Sequence, residues 1–186
     1  MSGRIARLPA GLVAAAALAG CANSYAVRGA KYGYQQRHPV AVDSDERAML
    51  ARAEDKADPE GRRVLVQARE MTIRDGLILP GSCWDYINEV YTRAGYPDEK
   101  RWTAFKGKKA GPYVKPGLIR PGDWLYFINH SYGDIEHSAL FVDWIDGGER
   151  KALMLSYGGE QRQQAARYLP YDLTNAYMII RPGRKP

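Results

Sequence analysis

Asp123-Trp124-Leu125-Tyr126-Phe127-Ile128 and, after the polar stretch 129–136, His137-Ser138-Ala139-Leu140-Phe141-Val142-Asp143-Trp144-Ile145 decide the fold. Both are short runs dense in aromatic and β-branched side chains, the composition that suits a pleated, half-buried surface. Two further runs, residues 152–157 and 176–180, follow in the same manner, with Gly147-Gly148 and Gly158-Gly159 as turns. Residues 123–180 therefore read as consecutive strands.

Upstream the apolar spacing changes to that of helices. Asp43-Ser44-Asp45-Glu46 offers an N-cap with an acid three positions on, and residues up to 57 have helical composition. Asp58-Pro59 caps a second helix with proline in its first turn, carried by Val64, Leu65, Ala68 and Met71 on one face. Residues 76–81 break the pattern with Gly76, Pro80 and Gly81. A third helix starts near Ser82 or Cys83, repeats apolar residues at Ile87, Val90, Tyr91 and Ala94, and stops at Gly95. Residues 96–122, rich in Lys, Gly and Pro, are expected to form a long functional loop or partly mobile flap. Helices first and consecutive strands after predict an α+β fold, N-terminal helices packed on an antiparallel sheet.

The N-terminal end carries a different message. Arg4 and Arg7 precede an apolar run, 8–18, of signal-core length and too short to span a membrane, which closes on Leu18-Ala19-Gly20-Cys21. The string resembles the lipobox of bacterial lipoproteins. That resemblance implies a signal peptide at 1–20, a lipid on the Cys21 thiol, and membrane attachment through that lipid. Ala22 after the cysteine implies the periplasmic face of the outer membrane. An ordinary secretory leader with a cysteine at its cleavage site is the other reading. Residues 22–42 read as a poorly ordered tether and 43–186 as one α+β domain of catalytic type. Beyond residue 20 the formal charge is +4, 25 Lys and Arg against 21 Asp and Glu, spread along the chain. Spread charge and export both argue against a nucleic-acid partner.

Two cysteines are present, and with Cys21 lipidated Cys83 has no disulfide partner. A solitary thiol in an oxidising compartment must be buried or used. Cys83 falls in the first turn of the third helix, where the helix dipole favours the thiolate, and His137 starts a strand that could supply an imidazole. A lone cysteine on an apolar helix is more often a small buried hydrophobe.

Three strings together bear on that choice. Gly81-Ser82-Cys83-Trp84-Asp85-Tyr86-Ile87 resembles the nucleophile helix of the NlpC/P60 and CHAP cysteine peptidases. Ile119-Arg120-Pro121-Gly122-Asp123-Trp124-Leu125-Tyr126-Phe127 is similar to their Pro-Gly-Asp turn and first core strand. His137-Ser138-Ala139-Leu140-Phe141-Val142 is similar to their histidine strand. The resemblance covers about residues 70–160. It implies a papain-like core and thiolate hydrolysis of peptide or amide bonds in peptidoglycan, with no cofactor. Carried over by position, Cys83 is the nucleophile, His137 the general base and Ser156 the residue that orients the imidazole, with Glu160 and Gln161 as substitutes nearby.

The chain departs from the NlpC/P60 pattern in reading Ser82-Cys83-Trp84-Asp85 in place of Asp-Cys-Ser-Gly. It also has no tyrosine between Tyr34 and Cys83. Those departures motivate an alternative, a non-catalytic envelope lipoprotein that binds cell wall or a protein partner. Acyl or amide transfer is a third use of the same thiol. Trp84, Asp85 and His130 are the candidate substrate contacts. Trp102, Trp124 and Trp144 could extend a glycan groove, although core packing is the default for the last two. Lys106, Lys108 and Lys109 could meet anionic cell-wall groups. His130, Asp134 and His137 lack the spacing of a metal site, and no metal is expected.

Overall fold

The computed structural model describes residues 36, 37 and 40–186; the signal segment, the lipidation candidate Cys21 and His38 lie outside them. Among the described residues there are three α-helices, α1 (Ser44–Lys56), α2 (Pro59–Arg69) and α3 (Cys83–Arg93), with a π-helical turn, Glu70–Arg74, continuing α2. Each helix begins where an acid can accept orphan backbone N–H groups. Asp43 accepts from the amides of Asp45 and Glu46 at 2.9 and 2.8 Å, and Asp58 from Gly61 at 2.7 Å. At α3 the acid works backwards: Asp85 Oδ2 accepts from the backbone N–H and hydroxyl of Ser82, at 2.7 and 2.9 Å.

A two-residue ladder pairs β1 (Gln36–Arg37) with β2 (Leu77–Ile78). The main sheet is wholly antiparallel, in the order β3-β8-β4-β5-β6-β7, from β3 (Arg101–Lys106), β4 (Trp124–Asn129), β5 (Ile135–Asp146), β6 (Lys151–Ser156), β7 (Arg167–Asp172) and β8 (Ala176–Pro182). The molecule is α+β.

The structure corrects two expectations. Residues 96–122 are not one long loop. They contain edge strand β3, and then a connection whose Val114 and Ile119 are buried against the sheet, with Val114 N–H donating to Ala176 O at 2.7 Å. The abundant Lys, Gly and Pro hid a strand that needs only one neighbour. Strand β7 went unpredicted because Pro170 interrupts it; at an edge, paired only with β6, proline costs the sheet no ladder bond it needs. Residues 36, 37 and 42, read as tether, are tied in by the β1–β2 pairing and by Val42 packing against the core.

Strand alternation divides the core into two layers. Trp124, Leu140 and Leu155 face the helices and pack with Leu50, Val64, Leu65, Ile87, Val90 and Tyr91. Leu125, Phe127, Ala139, Phe141, Met154 and Ile179 form the opposite layer, closed by Val114, Ile119 and Leu173. The Pro121-Gly122 turn presses on the start of α2. A Cβ on Gly122 would lie 2.6 Å from the Gly61 Cα, and one on Gly61 would lie 2.4 Å from the Pro121 carbonyl oxygen. No helix among the described residues is long and apolar enough to cross a membrane.

Candidate functional site

Cys83 is the first residue of α3 and Ser138 the second residue of the apolar run in β5. Their contact shows how the helix head meets the sheet. Ser138 is 3% exposed, and its hydroxyl lies 3.7 Å from the Cys83 sulfur. The thiol is half-buried rather than sealed. The segment leading to it is braced from behind: Tyr157 OH donates to Leu79 O at 2.6 Å, and Glu160 N–H to Gly81 O at 2.9 Å. Gly81 has φ +104, and a Cβ there would strike the Asp85 carboxylate at 2.4 Å, so the approach to the helix requires glycine.

His137 neighbours Ser138 and, by the pleat of β5, points to the other face of the sheet. Its ring stands edge-on to Phe127 and beside Tyr171, with centroids 5.5 Å apart in both cases. Its Nε2 lies 2.8 Å from Ser156 Oγ, which is 3.0 Å from Tyr171 OH, forming a short polar chain across β5, β6 and β7. Burial lowers the imidazole pKa from 6.5 to about 4, so the ring is neutral at neutral pH.

Cys83, His137 and Ser156 all line one cavity of about 620 Å³. The loops 129–136 and 157–165 form its other walls. Among the described residues no hydrogen bond joins Cys83 to His137; the thiol's partner is Ser138, and His137 Nδ1 has none.

The remaining candidates separate from this cavity. Asp85 caps α3 through Ser82, and Trp84, 42% exposed, packs on Trp124 with centroids 5.7 Å apart and the rings tilted by 50°; neither lines the cavity. His130 is held at both nitrogens, Nδ1 by Asp134 and Nε2 by the Asn175 side-chain amide, each at 2.6 Å, and also stands outside it. Trp144 packs on Phe141 and Trp102 lies by Arg181, so the tryptophans do not form one groove. Lys109 is paired with Glu136 at 2.8 Å. Glu160 and Gln161 line the cavity without touching His137. Among the described residues no three His, Cys, Asp or Glu gather as a metal site.

Sequence reasoning missed Ser138, Tyr171, Arg162 and Arg167. Ser138 had a usable signal, since alternation puts it opposite His137. Tyr171 and Arg167 lie in β7, the strand that proline concealed. Compared with family models, curated proteins and solved structures, the chain matches none of them.

Proposed function

We propose that this chain is a lipid-anchored cell-envelope hydrolase of the papain-like kind, akin to the NlpC/P60 and CHAP peptidases, that uses the Cys83 thiol on peptide or amide bonds of peptidoglycan. The observation that carries the reading is the joint presence of Cys83, His137 and Ser156 in one open cavity, with Nε2 of the imidazole engaged by Ser156 and Nδ1 unengaged. With the Nε2 proton directed to Ser156, Nδ1 is the nitrogen that carries the lone pair. In the proposed reaction the sulfur leaves Ser138 and passes its proton to that nitrogen. The thiolate adds to the scissile carbonyl, and the imidazolium returns the proton to the departing amine. Water then attacks the thioester carbonyl, releasing the acid and restoring the thiol. The positive end of the α3 dipole favours negative charge there. Anchoring through Cys21 to the periplasmic face of the outer membrane belongs to the same proposal.

Turnover of purified muropeptides should vanish in Cys83→Ala while the unfolding midpoint stays within about 1 kcal/mol of the parent. Equal cleavage by both proteins would refute it.

A second reading has its own support. The thiol's contact is Ser138, on the face of the sheet opposite His137. Left in that arrangement, the protein is an envelope domain that binds cell wall or a partner without cleaving it. Alkylation of Cys83 separates the two. Reactivity at pH 7 no greater than that of a free cysteine favours the binder, and reactivity raised about tenfold or more favours the hydrolase.

A further inference from the structure

The β6–β7 loop carries a guanidinium that the reaction above leaves unused. Arg162 lines the cavity and reaches across to the β4–β5 loop, where its Cζ lies 5.7 Å from the centre of the Tyr132 ring and its Nη2 3.4 Å from the Tyr132 hydroxyl. On the other side its stem lies over bare backbone. A Cβ on Gly158 would come within 2.5 Å of the Arg162 Cδ and 3.1 Å of its Nε. Glycine is there to make room, because Gly158 has no left-handed φ that would otherwise call for it. The side chain is thus held between a ring and a gap in the backbone, yet among the described residues it has no ion-pair partner. Arg167, beside Ser156 in the β6–β7 ladder, lines the same cavity and is equally unpaired. Of the two acids in the wall, Glu136 is taken by Lys109, which leaves Glu160 against two guanidinium groups in the charge balance of the lining.

We propose that Arg162 is a carboxylate-binding residue of this cavity, and that the ligand it serves is a peptide with a free carboxylate, Arg167 adding a second positive charge near Ser156. A guanidinium presents a planar fork of N–H donors that matches a carboxylate, and restraint before binding lowers the ordering cost. Apart from the Nη2 contact to the Tyr132 hydroxyl, the guanidinium donors have no hydrogen-bond partner among the described residues. This deepens the reading under Proposed function by naming the substrate class, and takes from it only that the cavity receives a peptide.

Binding is measured by calorimetry on the full chain bearing Cys83→Ala, so that no turnover intrudes. The probe is the peptide Ala-Glu-Lys-Ala in forms with a free or amidated C-terminus and with Glu or Gln at its second position. One of the two carboxylates should strengthen binding about tenfold, equivalent to about 1.4 kcal/mol; the amidated and Gln forms report which. That preference should disappear in Arg162→Gln and return in part in Arg162→Lys, which restores the charge without the fork. Gly158→Ala, which pushes a methyl against Cδ, should lose the preference too, at an unchanged unfolding midpoint. Absence of binding at millimolar peptide, equal affinity for all forms, or a preference that survives Arg162→Gln would overturn the proposal. A carboxylate preference in a protein whose parent cleaves nothing would support Arg162 and count against the hydrolase, so the two can fail separately.

Discussion

Acid should weaken this domain through His137. In the unfolded chain the imidazole takes up a proton near pH 6.5; in the folded protein burial moves that event to about pH 4. Between those values the unfolded state holds more protons, so stability falls as the pH drops. The contribution is whole above about pH 6.5 and spent once the pH reaches about 4. The limiting slope is about 1.4 kcal/mol per pH unit, and with partial solvent access the sum over the window is about 2–3 kcal/mol. The assay is urea unfolding of the parent and of His137→Gln at several values from pH 7.5 to 4.5. Carboxylates titrate in both proteins, so the difference between the two curves isolates the imidazole. Glutamine can still reach a hydrogen bond to Ser156, but it cannot take a proton. The parent's midpoint should approach or fall below the variant's at low pH by about 1–2 M urea, given a slope of about 1–3 kcal/mol per M. Parallel curves would refute the claim that burial holds the His137 imidazole well below its ordinary pKa.

Two other perturbations probe the surroundings. Ser138→Ala removes the hydroxyl 3.7 Å from the Cys83 sulfur. Since a hydrogen bond to a charged group is worth about 1.5–3 kcal/mol, alkylation of Cys83 at neutral pH should slow several-fold; an unchanged rate would mean that the hydroxyl does not stabilise the thiolate. Gly122→Ala forces a methyl to 2.6 Å from the Gly61 Cα at a residue with φ +90, and should lower stability by about 2–4 kcal/mol in urea unfolding. A loss under about 1 kcal/mol would show that the turn and α2 can part without cost.

The helices were legible because their signals are local. Asp43, Asp58 and Pro59 mark starts, Gly95 with φ +92 marks a stop, and the apolar spacing of α3 names the residues it buries. Strands β4, β5, β6 and β8 announced themselves by composition, since they lie inside the sheet. Edge strands β3 and β7 need one partner each, so they tolerate the exposed lysine and the proline that hid them. At the site, the order of the motifs pointed to Cys83, His137 and Ser156. Two facts were beyond it. A run in which residues 138–142 are all buried does not show which parity meets the helices. The pairing of Arg162 with Tyr132 joins two loops and depends on their closing across a cavity, which no local pattern encodes.

The similarity of residues 119–127 to a peptidase turn has a purely mechanical explanation in this fold. Asp123, 1% exposed, accepts two bonds from Arg181 at 2.7 Å and one from the Arg120 N–H at 2.8 Å; it clamps the last strand to the turn. Gly122 lets that turn touch α2, and its carbonyl receives the Tyr91 hydroxyl at 2.7 Å. A domain that only binds would need all of these contacts, so the string bears on architecture and leaves chemistry open. The thiol is different. The first turn of α3 is already capped by Asp85 and Ser82, and a serine at position 83 would answer the Ser138 hydroxyl as well as sulfur does. Packing thus supplies a reason for the glycine, the acid and the tyrosine, and none for sulfur in the wall of the cavity. Activity must be decided at Cys83 for that reason.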